Sequence, residues 1–251
     1  MQIDLNSDLG EGFGPWAMGD DAAILGCVTS ANIACGGHAS DPDTMVATLL
    51  LAQAKGVRVG AHPGYADPLG FGRRVIPMTD AQIERMVAVQ IGALMGAAAV
   101  AGVQVAYVKA HGALANLAAA NRGVADAIAR ATRAVSRDLA LLAISGTELE
   151  AAAEAAGLTS FSEVFADRAY QANGQLVPRD QPGAMITDAS AATQRLLHLL
   201  DAGEMPVLGG GYVKLRAQSI CVHGDSPHAV AMAQSIRQGL AAAGVKLAAF
   251  V

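Results

Sequence analysis

Lys109 and His111 stand two residues apart, so on an extended strand their side chains leave on the same side. A lysine ammonium can hold a carboxylate or polarise a carbonyl, and a neighbouring imidazole can move protons near neutral pH. Asp8 and Glu11 place two carboxylates in a glycine-rich run from 8 to 14, where they could divide acid and base roles or bind a metal. That run is not a phosphate loop, because no Walker lysine follows it and no GxGxxG opens a helix. Gly209, Gly210 and Gly211 fail the same tests.

A zinc site is an open alternative. Cys35 with His38, and Cys221 with His223, offer four ligands, while Asp8, His38 and His62 could form a catalytic set. No HExxH or CxxC is present, and both cysteines sit where small buried residues are wanted, so structural cysteine is the preferred reading. A divalent metal is kept as an alternative cofactor. Three cysteines, Cys27, Cys35 and Cys221, do not suggest a disulfide framework, and a reducing cytoplasm is the expected compartment.

The elements that must position these groups repeat one event: a short β-like run, a polar loop, then a helix ending at glycine. Strands are expected near 2–6, 28–33, 57–61, 103–109, 139–144, 162–166 and 219–223. Asp41-Pro42 opens a helix that stops at Gly56, and Thr79 with Gln82 forms a capping box whose helix closes at Gly102. Ser145 with Glu148 reads as a second box closing at Gly157, and Ser226-Pro227 opens the last helix, ending at Gly244. Asn173-Gly174 signals a type I′ hairpin between 168 and 179, and 207–215 is expected to add a strand pair.

Alternation of strand and helix implies a parallel sheet with right-handed crossovers. Strand parity separates an open sheet from a barrel. Ile3 and Leu5 share one face, while Asp4, Asn6 and Asp8 share the other. Both faces of an open α/β sheet should be apolar, so a polar face belongs inside a barrel. The expected fold is a single-domain (β/α) barrel over 1–251, with seven or eight strands. Its active site would sit at the C-terminal strand exits. These carry Asn6, Asp8 and Glu11; Asn32, Cys35 and His38; His62; Lys109 and His111; Ser145; Asp167 and Arg168; His223 and Asp225. Four of the six histidines stand there; His198 and His228 read as ordinary helix residues.

Composition supports this picture. Hydrophobic types make up 53% and charged types 16% of 251 residues, which excludes a disordered chain. The formal net charge is −5 and no basic stripe occurs, so neither nucleic acid nor an anionic membrane is an expected partner. The apolar stretch 86–108 breaks at Gly102 into a β-branched run, which suits a packed helix and buried strand better than a membrane span.

The motifs DLNSDLGEGFGPW at 4–16, NIACGGHASDP at 32–42, GAHPGYADPLGFGRR at 60–74, VKAHGALAN at 108–116, FADRAYQANGQLVPR at 165–179 and ICVHGDSPHAV at 220–230 resemble the LamB/YcsF family, the A subunits of bacterial ATP-dependent 5-oxoprolinase. The likeness covers essentially the whole chain. Departures fall at Ala110 and Ala115, where Pro and Tyr are usual, and at Gly37, where an aromatic is usual.

The resemblance implies a seven-stranded, polysaccharide-deacetylase-like barrel. It also implies conversion of 5-oxo-L-proline to L-glutamate coupled to ATP hydrolysis, together with subunits B and C. On this reading Asp8, Glu11, His38, His62, Lys109 and His111 share the catalytic work. Asn6, Asn32, Lys109, Asp167, Arg168, His223 and Asp225 would bind substrate, with Lys109 or Arg168 on its carboxylate. The missing phosphate motif suggests that ATP is handled mainly by the partner subunits. Two rivals are a stand-alone metal-dependent amide or N-acetyl hydrolase and a noncatalytic carbohydrate-utilisation scaffold.

Overall fold

In the computed structural model, residues 1–224 and 229–251 are described. The strands are β1 (Gln2–Leu9), β2 (Ser30–Ala34), β3 (Arg58–His62), β4 (Val105–Val108), β5 (Ala140–Ile144), β6 (Ser160–Phe165), β7 (Glu204–Pro206), β8 (Tyr212–Lys214), β9 (Ser219–Cys221) and β10 (Lys246–Leu247). The helices are α1 (Asp21–Ile24), α2 (Pro42–Lys55), α3 (Asp80–Ala101), α4 (Gly112–Ala120), α5 (Arg122–Val135), α6 (Glu148–Ala155), α7 (Ala189–Ala202) and α8 (Ala229–Ala242).

Strands β1 to β6 pair in sequence order, all parallel, and β9 joins β6 back to β1. Asp4, Leu5 and Asn6 oppose Ser219, Ile220 and Cys221 at this seam. The result is a closed seven-stranded parallel barrel wrapped by helices. Strand β10 pairs with Gln2 and Ile3 outside the barrel staves, and β7 with β8 forms a separate antiparallel ribbon.

Parity does what the pattern requires. Ile3, Leu5 and Leu9 are buried in the main apolar core, whereas Asp4, Asn6 and Asp8 are buried in a polar network. Position 60 must be glycine because Tyr107 fills the space beside it, and any Cβ there would strike the ring. At the lower end Phe250 packs on Tyr107 and Phe161, with ring centroids 4.9 and 4.8 Å apart, and so floors the barrel.

Helix boundaries follow their capping residues. Asp41 caps α2, which ends at left-handed Gly56, and α3 carries the full Thr79–Gln82 capping box and ends at Gly102. Helix α3 is long and apolar enough to cross a membrane by length and composition alone. It instead lies against α2 and α5 through Ile83, Val87, Ile91, Leu94 and Ala98.

Three local expectations are corrected. Ser145 does not cap α6, whose N-cap is Thr147; the Ser145 hydroxyl accepts from the Arg216 N–H at 3.0 Å instead. The turn at Asn173-Gly174 is tight but not type I′, because only Gly174 has positive φ. Asn173 Oδ1 accepts from the Gln175 N–H, and a single antiparallel bridge joins Tyr170 to Leu176. The expected strand pair at 207–215 lies slightly earlier, with the three glycines as its turn. Ser226-Pro227, as the start of α8, lies outside the described residues, and so do His228 and Asp225.

Candidate active site at the open end of the barrel

Lys109 follows β4, and its N–H still pairs with the Ala61 carbonyl; His111 N–H continues to Pro63. This extended path keeps the strand alternation, so both side chains turn inward. The Lys109 ammonium lies 2.9 Å from Asp8 Oδ1, 2.9 Å from Glu163 Oε1, 3.2 Å from Asn6 Oδ1 and 3.1 Å from Cys221 Sγ. All three of its hydrogens therefore have acceptors within the chain. Burial alone would lower the Lys109 pKa, but the Asp8, Cys221 and Glu163 sites raise it well above its ordinary value.

Asp8 is the hub of this network. Asn32 donates to its Oδ1 at 2.9 Å, and His62 Nε2 lies 3.3 Å from the same oxygen. Burial pushes its carboxyl up, yet a protonated His62 and the Lys109 ammonium overcome that and hold it well below the usual carboxylate range. Asn32 also donates to Asn6 and accepts from the Tyr107 hydroxyl, each at 2.7 Å. Beneath lies Asp4, bonded to the hydroxyls of Thr29, Ser30 and Ser219.

The histidines form the other half. His62 donates through Nδ1 to the Lys109 carbonyl, and its Nε2 faces His111 Nδ1 at 3.0 Å. His38 stacks on His111 with centroids 3.6 Å apart and donates to Glu11 Oε1 at 3.0 Å. Burial brings the His38 pKa down to about 4. Burial, then the neighbouring His38 and His62 rings, hold His111 well below its ordinary value. Among the described residues two groups of side chains could hold a metal: Glu11 with His38, His62 and His111, and Asp8 with Cys221 and His223. The four-ligand set weighed from the sequence does not assemble: Cys35 Sγ instead accepts from the His62 backbone N–H.

A cavity of about 590 Å³ opens above these groups. Its wall includes Asp8, His62, Lys109, His111, Glu163, Arg168 and His223, whereas Glu11 and His38 lie behind it. Asn6 and Asn32 stay in the network below. Asp167 orients His223 by accepting from its Nδ1 at 2.8 Å, and Arg179 donates to His223 Nε2 at 2.9 Å. Arg168 is buried, gives one hydrogen to the Val177 carbonyl at 2.6 Å, and its Nε has no partner among the described residues. Burial, then Arg179, bring its pKa down to about 10.

Glu163, Arg73 and Arg179 also line the cavity, although they were not among the expected site residues. A signal for Glu163 was present: Phe161, Glu163 and Phe165 share a parity, which puts a carboxylate on the inward face of β6. Ala110 and Ala115 both line this wall. At Gly37 the space is already taken by Gln90, whose amide grips the Gly64 backbone at 3.0 and 2.7 Å.

Comparison with known proteins gives matches of different depth. The profile of the LamB/YcsF family matches residues 3–251. The 5-oxoprolinase A subunit of Nocardia farcinica is 54% identical over 251 residues, covering 100% of both chains. The crystal structure of the lactam utilization protein from Thermus thermophilus superposes with a TM-score of 0.94 at 42% identity, again over 100% of both chains. A family 4 carbohydrate esterase from Streptomyces lividans aligns over 100% of this chain and 93% of its own, at 16% identity and TM-score 0.48, too distant to carry an argument.

Proposed function

The chain belongs to the LamB/YcsF family, and from that premise we propose that it is the A component of a 5-oxoprolinase, opening 5-oxo-L-proline to L-glutamate. The observation that carries the reading is an ionised Asp8 beside two imidazoles on the wall of a cavity edged by guanidinium groups. A five-membered lactam is an unreactive amide. Its hydrolysis needs a polarised carbonyl, a directed water and a proton for the leaving nitrogen.

Asp8, held by Lys109 and Asn32, acts as the base toward water. His62 and His111 line the cavity beside Asp8, next to the reacting amide on this reading. Glu11 and His38 position His111 from behind. Lys109 has no hydrogen left for the substrate, so the substrate carboxylate falls to Arg168, whose Nε is a buried donor without an acceptor among the described residues. Asp167 and His223 brace Arg179 beside it.

ATP consumption belongs to the assembly with subunits B and C. The glycine run 209–211 is a hairpin turn, not a phosphate cradle at a helix start, which supports nucleotide handling by the partners. The three described cysteines are free and buried, as suits the cytoplasm.

The test is glutamate release from 5-oxoproline and ATP. This chain alone is expected to be inactive, and addition of subunits B and C to restore turnover. Absence of glutamate from every combination of folded components sinks the reading, and ATP-coupled turnover by the isolated chain sinks the division of labour.

A further inference from the structure

Two imidazole lone pairs face each other at the head of the barrel. His62 donates its Nδ1–H to the Lys109 carbonyl and His111 its Nε2–H to the Phe71 carbonyl, both at 2.8 Å. A carbonyl can only accept, so each neutral ring has its single proton committed there, and its other nitrogen keeps a lone pair. Those nitrogens, Nε2 of His62 and Nδ1 of His111, lie 3.0 Å apart. Two acceptors at that distance repel unless a cation lies between or beside them.

More acceptors crowd the same point. Asp8 Oδ1 is 3.3 Å from His62 Nε2, and Glu11 Oε1 is 3.6 Å from His111 Nδ1. One shared proton would satisfy one pair of these atoms. A cation with several coordination positions satisfies them together. Ligand atoms of Glu11, His62 and His111 fall within 4.8 Å of one another, close enough to share one ion.

We propose that Glu11, His62 and His111 hold a divalent transition-metal ion of the zinc class. Two imidazoles and a carboxylate are the donor set such ions take, with a position left open for water or substrate. Each histidine also shows the support expected of a ligand, its distal N–H fixed by a backbone carbonyl. For His111 that carbonyl comes from Phe71, a non-glycine residue at φ 53°, so a disfavoured backbone conformation aims the acceptor. His38 holds Glu11 from the far side at 3.0 Å. His62 and His111 reach the cavity and Glu11 does not, which leaves the ion open to the cavity on one side. An ion there would polarise a carbonyl or acidify a bound water beside Asp8. The inference goes beyond the lactam-opening reading and does not depend on the identity of the substrate.

The test reads metal rather than turnover. The full chain, stripped with a chelator and dialysed against Zn²⁺ or Co²⁺, is expected to retain about one ion per chain by elemental analysis. The Co²⁺ form should show ligand-field bands without thiolate charge transfer. Glu11→Gln, His62→Ala and His111→Ala should each weaken binding at least about 100-fold, while His198→Gln on α7 binds as the parent does. Should a variant fail to fold, nitrogen NMR of the parent decides. Zn²⁺ should shift His62 Nε2 and His111 Nδ1 and leave both distal N–H groups protonated. A folded parent holding less than about a tenth of an equivalent overturns the proposal. So does an imidazolium signal at this pair that Zn²⁺ leaves unmoved, or undiminished binding in a folded His62→Ala/His111→Ala double variant. Because no result depends on glutamate release, failure of the proposed reaction and failure of the metal site are distinguishable.

Discussion

Removing the Lys109 ammonium would leave Asp8 and Glu163 facing each other as buried acids without a counter-charge. Breaking such a network by deleting one partner costs about 3–5 kcal/mol. Lys109→Met should therefore lower stability to urea by that order at pH 7 as well as abolish turnover; a loss under about 1 kcal/mol would show that the carboxylates find other relief. Asp4 gives a prediction of opposite character. Burial raises its carboxyl from 3.8 to about 6. The folded state then binds this proton more tightly than the unfolded chain. The stabilisation is complete below the unfolded pKa and is lost as pH rises through the folded one, about 3 kcal/mol in all. Relative to the parent, Asp4→Asn should gain stability by that order between about pH 4 and pH 7. His38 contributes the opposite slope over much of this range, but both proteins carry it and it cancels. A stability difference that stays flat with pH would refute the assignment.

At the scale of elements, β3 and β4 depend on a close approach. Gly60 leaves room for the fully buried Tyr107 ring, whose hydroxyl reaches Asn32 over β3. Gly60→Ala should cost about 1–3 kcal/mol by overpacking, read as a lowered urea midpoint; an unchanged midpoint would mean that the ring moves freely. These elements were largely legible from local signals. The Asp41 and Thr79 caps and the glycine stops bound α2 and α3, and period-two alternation marked the inward face of β1. Ser145 misled because a hydroxyl three residues before a glutamate can cap only if it is free, and this one serves Arg216. Asn173-Gly174 misled because a side-chain bond to Gln175 stabilises a different turn with the same residues.

For the molecule as a whole, the barrel has a chemical mouth and an aromatic floor. Phe250 stands beneath Tyr107 and Phe161 almost at the chain terminus, half-buried, and removal of its ring opens the floor to water. Phe250→Ala should lower stability by about 2 kcal/mol, measured by urea unfolding, with little change in metal affinity at the opposite end; an unaltered unfolding curve would deny the floor a structural role. The alternation of strands and helices, the polar parity of β1 and the gathering of histidines and carboxylates at strand exits were determined by the sequence alone. Each is written in residues a few positions apart, where backbone periodicity and capping act. Only the tertiary structure decided that seven strands close, through the pairing of Asp4 with Ser219. It also decided that Lys109 is consumed by Asp8 and Glu163, and that His62 and His111 meet lone pair to lone pair. Those outcomes depend on which distant groups arrive within about 3 Å of one another, and no local pattern records that.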